Sequence, residues 1–168
     1  TSVSIASNNA DTTKAKVGDE ITISFTADQD PLDALPTATI AGQTATVNGA
    51  GAPNYTAKFT MTGAQSTGNI PFTIDFVGLG GINGTQVTAT TDASAVDFDK
   101  TLPTATAVSI ASNNATTTVA KSGDEITVSF TVDESLLATP TATIQSQAAT
   151  VAVAGAHPNY TAKYTMTG

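Results

Sequence analysis

TSVSIASNNADTTKAKVGDEITISFTAD at residues 1–28 returns as TAVSIASNNATTTVAKSGDEITVSFTVD at residues 106–133. PTATI at residues 36–40 returns at 140–144, and PNYTAKFTMTG at 53–63 returns as PNYTAKYTMTG at 158–168. The period is about 105 residues, and roughly seven in ten aligned positions are identical. A repeat of that length is one small folding unit used twice. The first copy is complete over residues 1–104. The second, 105–168, stops at the equivalent of Gly63 and lacks counterparts to residues 64–104, which are read as holding two strands. The sequence is therefore expected to be part of a longer chain, the alternative being that a neighbouring chain supplies those strands.

Within the repeat the pattern is that of strands. Ile21, Ile23 and Phe25 alternate with Thr22, Ser24 and Thr26, the period-two signature of a half-buried strand. Tyr55, Ala57, Phe59 and Met61 alternate in the same way with Thr56, Lys58 and Thr60, and Phe72, Ile74 and Phe76 with Thr73 and Asp75. Residues 3–7 read as the first strand, and 37–41 with 43–47 as a short pair around Gly42. Residues 86–90 and 95–98 read as one last strand broken by a bulge near Asp92. Seven strands with turn signals between them predict an all-β fold, a tandem of immunoglobulin-like antiparallel β-sandwiches. The joint, residues 99–104, contains Pro103, which holds Leu102 extended, so a short stiff connection and a rod of end-to-end domains are expected.

Composition agrees. Threonine supplies about a fifth of the chain, and Thr, Val and Ile favour the pleated backbone. Six lysines, no arginine and 14 acids give a net charge of −8. Nucleic-acid binding needs Lys and Arg to neutralise phosphates, so that class is excluded, as is docking to an anionic membrane. No stretch is long and apolar enough to span a bilayer. There is no cysteine, hence no disulfide, thiolate nucleophile or Cys-based metal site; this leans toward a bacterial rather than a eukaryotic secreted sandwich. The chain starts directly on a strand pattern, without initiator Met or signal peptide.

The GDEITISF and GDEITVSF segments, the NYTAKFTM strand, the IDFVGLGGINGTQV hairpin and the DFDKTLPT joint resemble bacterial immunoglobulin-like repeats. Such repeats are strung together in giant cell-surface adhesins and extracellular filaments. The resemblance implies an extracellular, cell-surface location and a stalk or adhesin role. It also implies neighbouring repeats as partners, other cell surfaces as targets of domains elsewhere, and calcium at domain junctions.

The residues offer one candidate site. Asp19 and Glu20 occupy the turn before the second strand, Asp97 and Asp99 end the last strand of the first copy, and Asp133 and Glu134 lie in a loop of the second. On the expected topology these three acidic pairs meet at the joint, and Ca²⁺ takes six to eight oxygen ligands of this kind. Asp97 and Asp99, two apart on a strand, share a face. Asp28, Asp30 and Asp33 would face a preceding domain, and Asp124 with Glu125 a following one. Polar loop tips also carry solvated carboxylates for no reason beyond solubility, and no DxDxDG loop is present. Calcium is the one cofactor expected.

Other motifs point nowhere specific. Gly78, Gly80, Gly81 and Gly84 join two strands and open no helix, so they read as a turn rather than a phosphate loop. His157 occurs in one copy only and has no Ser or Cys partner pattern. Tyr55, Phe59, Tyr160 and Tyr164 share one apolar face and read as core. The glycosylation triplets at Asn54, Asn83, Asn114 and Asn159 arise easily in a Thr-rich chain. No paired-carboxylate cleft, nucleophile–base pair or zinc motif is present, so the reading is not an enzyme but a structural stalk or spacer. The alternatives are a ligand-binding adhesion module and a filament subunit assembling by strand complementation. The joint site is checked by thermal unfolding of the chain with calcium and with a chelator. A calcium-dependent rise in Tm that vanishes in the Asp97→Asn/Asp99→Asn variant supports it; no shift at millimolar calcium removes it.

Overall fold

The computed structural model describes residues 2–28, 32, 34–49, 53–155 and 158–167; Asp30, Asp33 and His157 lie outside them. The chain divides into two compact units, Thr1–Lys100 and Thr101–Gly168. All regular structure among the described residues is β-strand. Unit 1 runs β1 (Val3–Ser7), β2 (Lys14–Ala15), β3 (Glu20–Thr26), β4 (Thr37–Ile40), β5 (Gln43–Thr44), β6 (Thr46–Gly49) and β7 (Asn54–Thr60). It continues with β8 (Gly68–Asn69), β9 (Phe72–Asp75), β10 (Val77–Gly78), β11 (Ile82–Asn83) and β12 (Asp97–Phe98). Unit 2 runs β13 (Ala105–Ser112), β14 (Glu125–Val132), β15 (Thr143–Ile144), β16 (Gln147–Ala148), β17 (Thr150–Val153) and β18 (Asn159–Thr165).

In unit 1 one sheet has the order β1-β3-β7-β6 and a second the order β5-β4-β9. The predicted alternation sets their inner faces. Ile21, Ile23 and Phe25 are buried, and β3 pairs antiparallel with β7 so that Ile23 lies opposite Ala57 and Phe25 opposite Tyr55. Ala38, Ile40, Phe72 and Ile74 of the second sheet share a single core with them, a sandwich-like arrangement. The glycine cluster is a turn, as read: β10 and β11 form a hairpin closed by a 3.1 Å bond from Gly81 N–H to the Gly78 carbonyl.

Two strand expectations fail. Residues 43–47 do not make one strand beside β4. Gln43 and Thr44 pair with β4, Ala45 turns into the core, and β6 pairs with β7 in the other sheet. Burying Ala45 while its N–H stays bonded to the Ala38 carbonyl at 2.9 Å is what makes the chain change sheets. Nor is 86–98 one strand with a bulge. Val87 forms an isolated bridge with Ile74, Asp92 and Ser94 form a turn, and only Asp97–Phe98 is strand, parallel to β2 and antiparallel to β8. This segment changes neighbour three times as it closes the edge of the unit, so no continuous alternation can develop. Residues 64–104 thus carry five short strands rather than two.

Unit 2 repeats the first sheet as β13-β14-β18-β17. The register is kept: Phe130 lies opposite Tyr160, their rings stacked at 5.5 Å and 18°, as Phe25 and Tyr55 stack at 5.6 Å and 20°. Burial is not kept. Among the described residues seventeen apolar side chains are buried in unit 1 and five in unit 2. Val3 and Ile5 are 2% and 5% exposed, whereas their equivalents Val108 and Ile110 are 62% and 68% exposed. Ile110 faces Val128 as Ile5 faces Ile23, so a slipped register is not the cause. Ile5→Ala should therefore cost unit 1 about 2–5 kcal/mol, the range for truncating a buried Ile. Ile110→Ala should change unit 2 by no more than about 0.5 kcal/mol. Denaturant titration followed by amide exchange reads the two units separately and checks the contrast.

Candidate functional site

The one polar constellation built in both copies lies at the bend between the first long strands. Two asparagines follow β1, and ten residues after the second comes a buried aspartate. The Asp19 carboxylate accepts from the Asn9 side-chain amide at 2.7 Å, the Lys16 backbone N–H at 2.9 Å and Lys16 Nζ at 2.7 Å. Glu20 N–H donates to Asn8 Oδ1 at 2.9 Å. In unit 2 Asp124 accepts from Asn114 at 2.8 Å and from Lys121 N–H at 2.8 Å, and Glu125 N–H donates to Asn113 at 2.9 Å. Gly18 and Gly123, at φ 94° and 92°, supply the left-handed turn, and each donates its N–H to the carbonyl of Met61 or Met166.

This clasp perturbs its acid. Burial, the largest influence on Asp19, raises its pKa, but hydrogen bonds from Lys16 and Asn9 and the Lys16 charge together outweigh it, leaving the carboxyl below the ordinary 3.8. Asp124 is lowered as well, chiefly by Asn114 and then by the Lys121 backbone. An aspartate so held is a structural acceptor, since its lone pairs already point at donors on its own bend.

The other predicted ligands also have protein partners. Glu20 lies next to Asp19 on the chain but reaches across to Lys58 Nζ at 2.7 Å, so the two carboxylates serve different donors. Asp97 pairs with Lys14 Nζ at 3.1 Å in the parallel β2–β12 ladder. Asp99 donates its backbone N–H to the Ala15 carbonyl at 2.8 Å and is exposed. Asp133, in unit 2, accepts from both the N–H and the hydroxyl of Thr104, which hold its carboxyl below 3.8. Glu134, its neighbour, is half-buried. Among the described residues no three acids or histidines converge in a way that could hold a metal ion.

The sequence reading missed Asn8, Asn9, Lys16 and Lys100. The first three were legible as NN and GDE at a fixed spacing in both copies. Lys100 was not: its Nζ donates to the carbonyls of Gly63 and Gln65 at 3.1 and 2.8 Å, a contact set by tertiary structure alone. Of the glycosylation triplets, Asn114 is committed to the clasp, so a glycan there would break it.

The clasp predicts a pH dependence. The folded-state pKa of Asp19 is depressed, so its stabilisation is complete above 3.8 and is lost as pH falls through the lower folded value. Asp19→Asn should destabilise unit 1 by about 1–3 kcal/mol at pH 7, the range for losing hydrogen bonds to a charged group. The difference from wild type should shrink toward pH 3, as measured by urea unfolding across that range. No protein-family model, curated protein or solved structure matches this chain.

Proposed function

We propose that this chain is two tandem immunoglobulin-like repeats of a bacterial extracellular protein, acting as a structural stalk or spacer. The observation that carries the reading is the recurrence in both copies of one ladder, one aromatic stack and one clasp. Each of these features stabilises the repeat itself. A spacer needs the same self-sufficient unit many times, with stiffness set by neighbours along the array. The salt bridges lie in equivalent positions too, Lys58–Glu20 and Lys163–Glu125, both at 2.7 Å. Calcium enters only as the expectation from sequence and resemblance. Asp19, Glu20, Asp97 and Asp133 already have donors, so the spacer reading does not require it.

One observation bears on the ligand-binding alternative. A depression of about 250 Å³ beside the β10–β11 hairpin is lined by Leu32, Phe76, Leu79 and Ile82. It is smaller than the roughly 300–1,000 Å³ typical of ligand pockets, and one side is a glycine-rich turn. The stalk reading is therefore preferred. Small-angle scattering on chains with two, three and four complete repeats tests it: the maximum dimension should grow by a fixed increment per repeat. Chains that collapse to a constant dimension would sink the reading, and saturable binding of a glycan or protein, lost in Leu79→Asp/Ile82→Asp, would replace it with the adhesion module.

A further inference from the structure

Unit 2 presents the sheet of unit 1 with one face and one edge open. In unit 1 the segment from Gln65 to Phe98 covers that face. Ile70, Phe72, Ile74, Val96 and Phe98 are buried in the same core as Val3 and Ile5. The segment also caps the outer edge of β1. Thr91 N–H donates to the Val3 carbonyl at 2.8 Å, Val3 N–H donates to Thr91 Oγ1 at 2.9 Å, and Ile5 N–H donates to Ser94 Oγ at 2.9 Å. It ends by running parallel to β2, where Asp97 and Asp99 N–H groups donate to the carbonyls of Thr13 and Ala15 at 2.9 and 2.8 Å.

The receiving half of this arrangement is present in unit 2. Val108, Ile110 and Ala120 occupy the positions of Val3, Ile5 and Ala15, and all three are exposed. Strand β13 is the outermost strand of its sheet. An exposed apolar face bordered by an open strand edge is a template for adding a strand. The occupant is indicated by the molecule itself, because a near-identical sheet in unit 1 is covered by a known sequence.

We infer that the outer edge of β13 and the face bearing Val108, Ile110, Val128 and Phe130 accept an extended polypeptide segment of the kind that closes unit 1, supplied by a further copy of the repeat. The inference rests on the equivalence of the two copies and not on the stalk reading, so either can fail alone. Recognition has three parts. Inward apolar side chains fill the face; hydroxyl residues three positions apart, as Thr91 and Ser94 are, receive the N–H groups of Val108 and Ile110; and a final pair lies parallel to Val119–Ala120. One substitution sets a preference. Lys14, which pairs with Asp97 in unit 1, is Val119 in unit 2. An acid at the Asp97 position gains nothing from Val119 and is partly desolvated beside it, so the segment suited to unit 2 carries an apolar residue there.

The test adds a synthetic polypeptide with the sequence of residues 64–100 to the full chain and follows amide exchange. One-to-one binding is expected, slowing exchange about tenfold or more at residues 108–112 and 126–130 while unit 1 is unchanged. The Asp97→Val form of the polypeptide should bind several-fold more tightly, and the Val96→Asp/Phe98→Asp form should not bind. In a second arm the same 64–100 sequence follows Gly168 covalently, which probes the same face even where the free polypeptide aggregates. Protection of the same amides, independent of concentration, is expected. Unchanged exchange at 108–112 with the segment attached overturns the proposal. So does self-association of the chain through this face that the added segment does not suppress.

Discussion

Strands β3 and β7 lie antiparallel over seven residues with Ile23 opposite Ala57 and Phe25 opposite Tyr55, and the rest of unit 1 is organised around that ladder. The pairing decides which side chains face inward, since slipping it by one residue would turn every apolar side chain to solvent. Strands β1 and β6 extend the ladder on either side, and β4 and β9 lay a second sheet over the face it creates. Ala57, fully buried among larger neighbours, leaves room for that second layer to approach. The magnitudes favour this account over surface electrostatics. A buried Ile or Phe is worth about 1.5–3 kcal/mol, while an exposed pair such as Lys14–Asp97 is worth about 0–1 kcal/mol.

Unit 2 separates two things that unit 1 combines. Its ladder keeps the register of unit 1, down to the stacked ring pair, although its inner face is far less covered. The pairing is therefore specified within the 60-odd residues that the two copies share, by alternation and by the clasp that fixes the bend between the first long strands. Covering the face is a separate contribution from later residues. Near its start β13 also takes an extra residue against β14, with Ala107 at φ 49°. The corresponding strand of unit 1 pairs without a shift, held at that end by Thr26 bonds to Ser2 and by Thr91 bonds to Val3.

What could be read from the sequence follows the same division. Strands carrying a strict period of two, β1, β3, β7 and β9, were legible because one face of each is buried along its whole length. Residues 43–49 and 86–98 were not legible, because each changes partner partway and the burial pattern restarts at every change. Ala45 and Val96 are the clearest cases: both are buried, yet neither belongs to an alternating run. The acids were legible only as acids. Sequence placed Asp19 in its turn correctly but gave no sign that Asn9 and Lys16 would occupy its lone pairs, because those contacts depend on how the bend closes.

The pattern of difference between the copies bears on what the repeat is for. A site for a ligand would show as polar or aromatic residues preserved beyond what folding requires. Across residues 1–28 and 106–133 the shared polar residues have identifiable structural work. Asn8, Asn9 and Asp19 close the bend, Ser7 Oγ accepts the Asn9 N–H at 3.1 Å as Ser112 does from Asn114 at 3.0 Å, and Glu20 meets Lys58 across the ladder. The differences fall where folding tolerates them. Ile23 and Ala27 become Val128 and Val132, trading volume within one strand, while Asp11 and Val17 become Thr116 and Ser122 on exposed turns. The shared tyrosines, Tyr55 and Tyr160, are buried. What two copies hold in common is thus the means of folding the unit and almost nothing beyond it, which favours a part whose function is to be repeated.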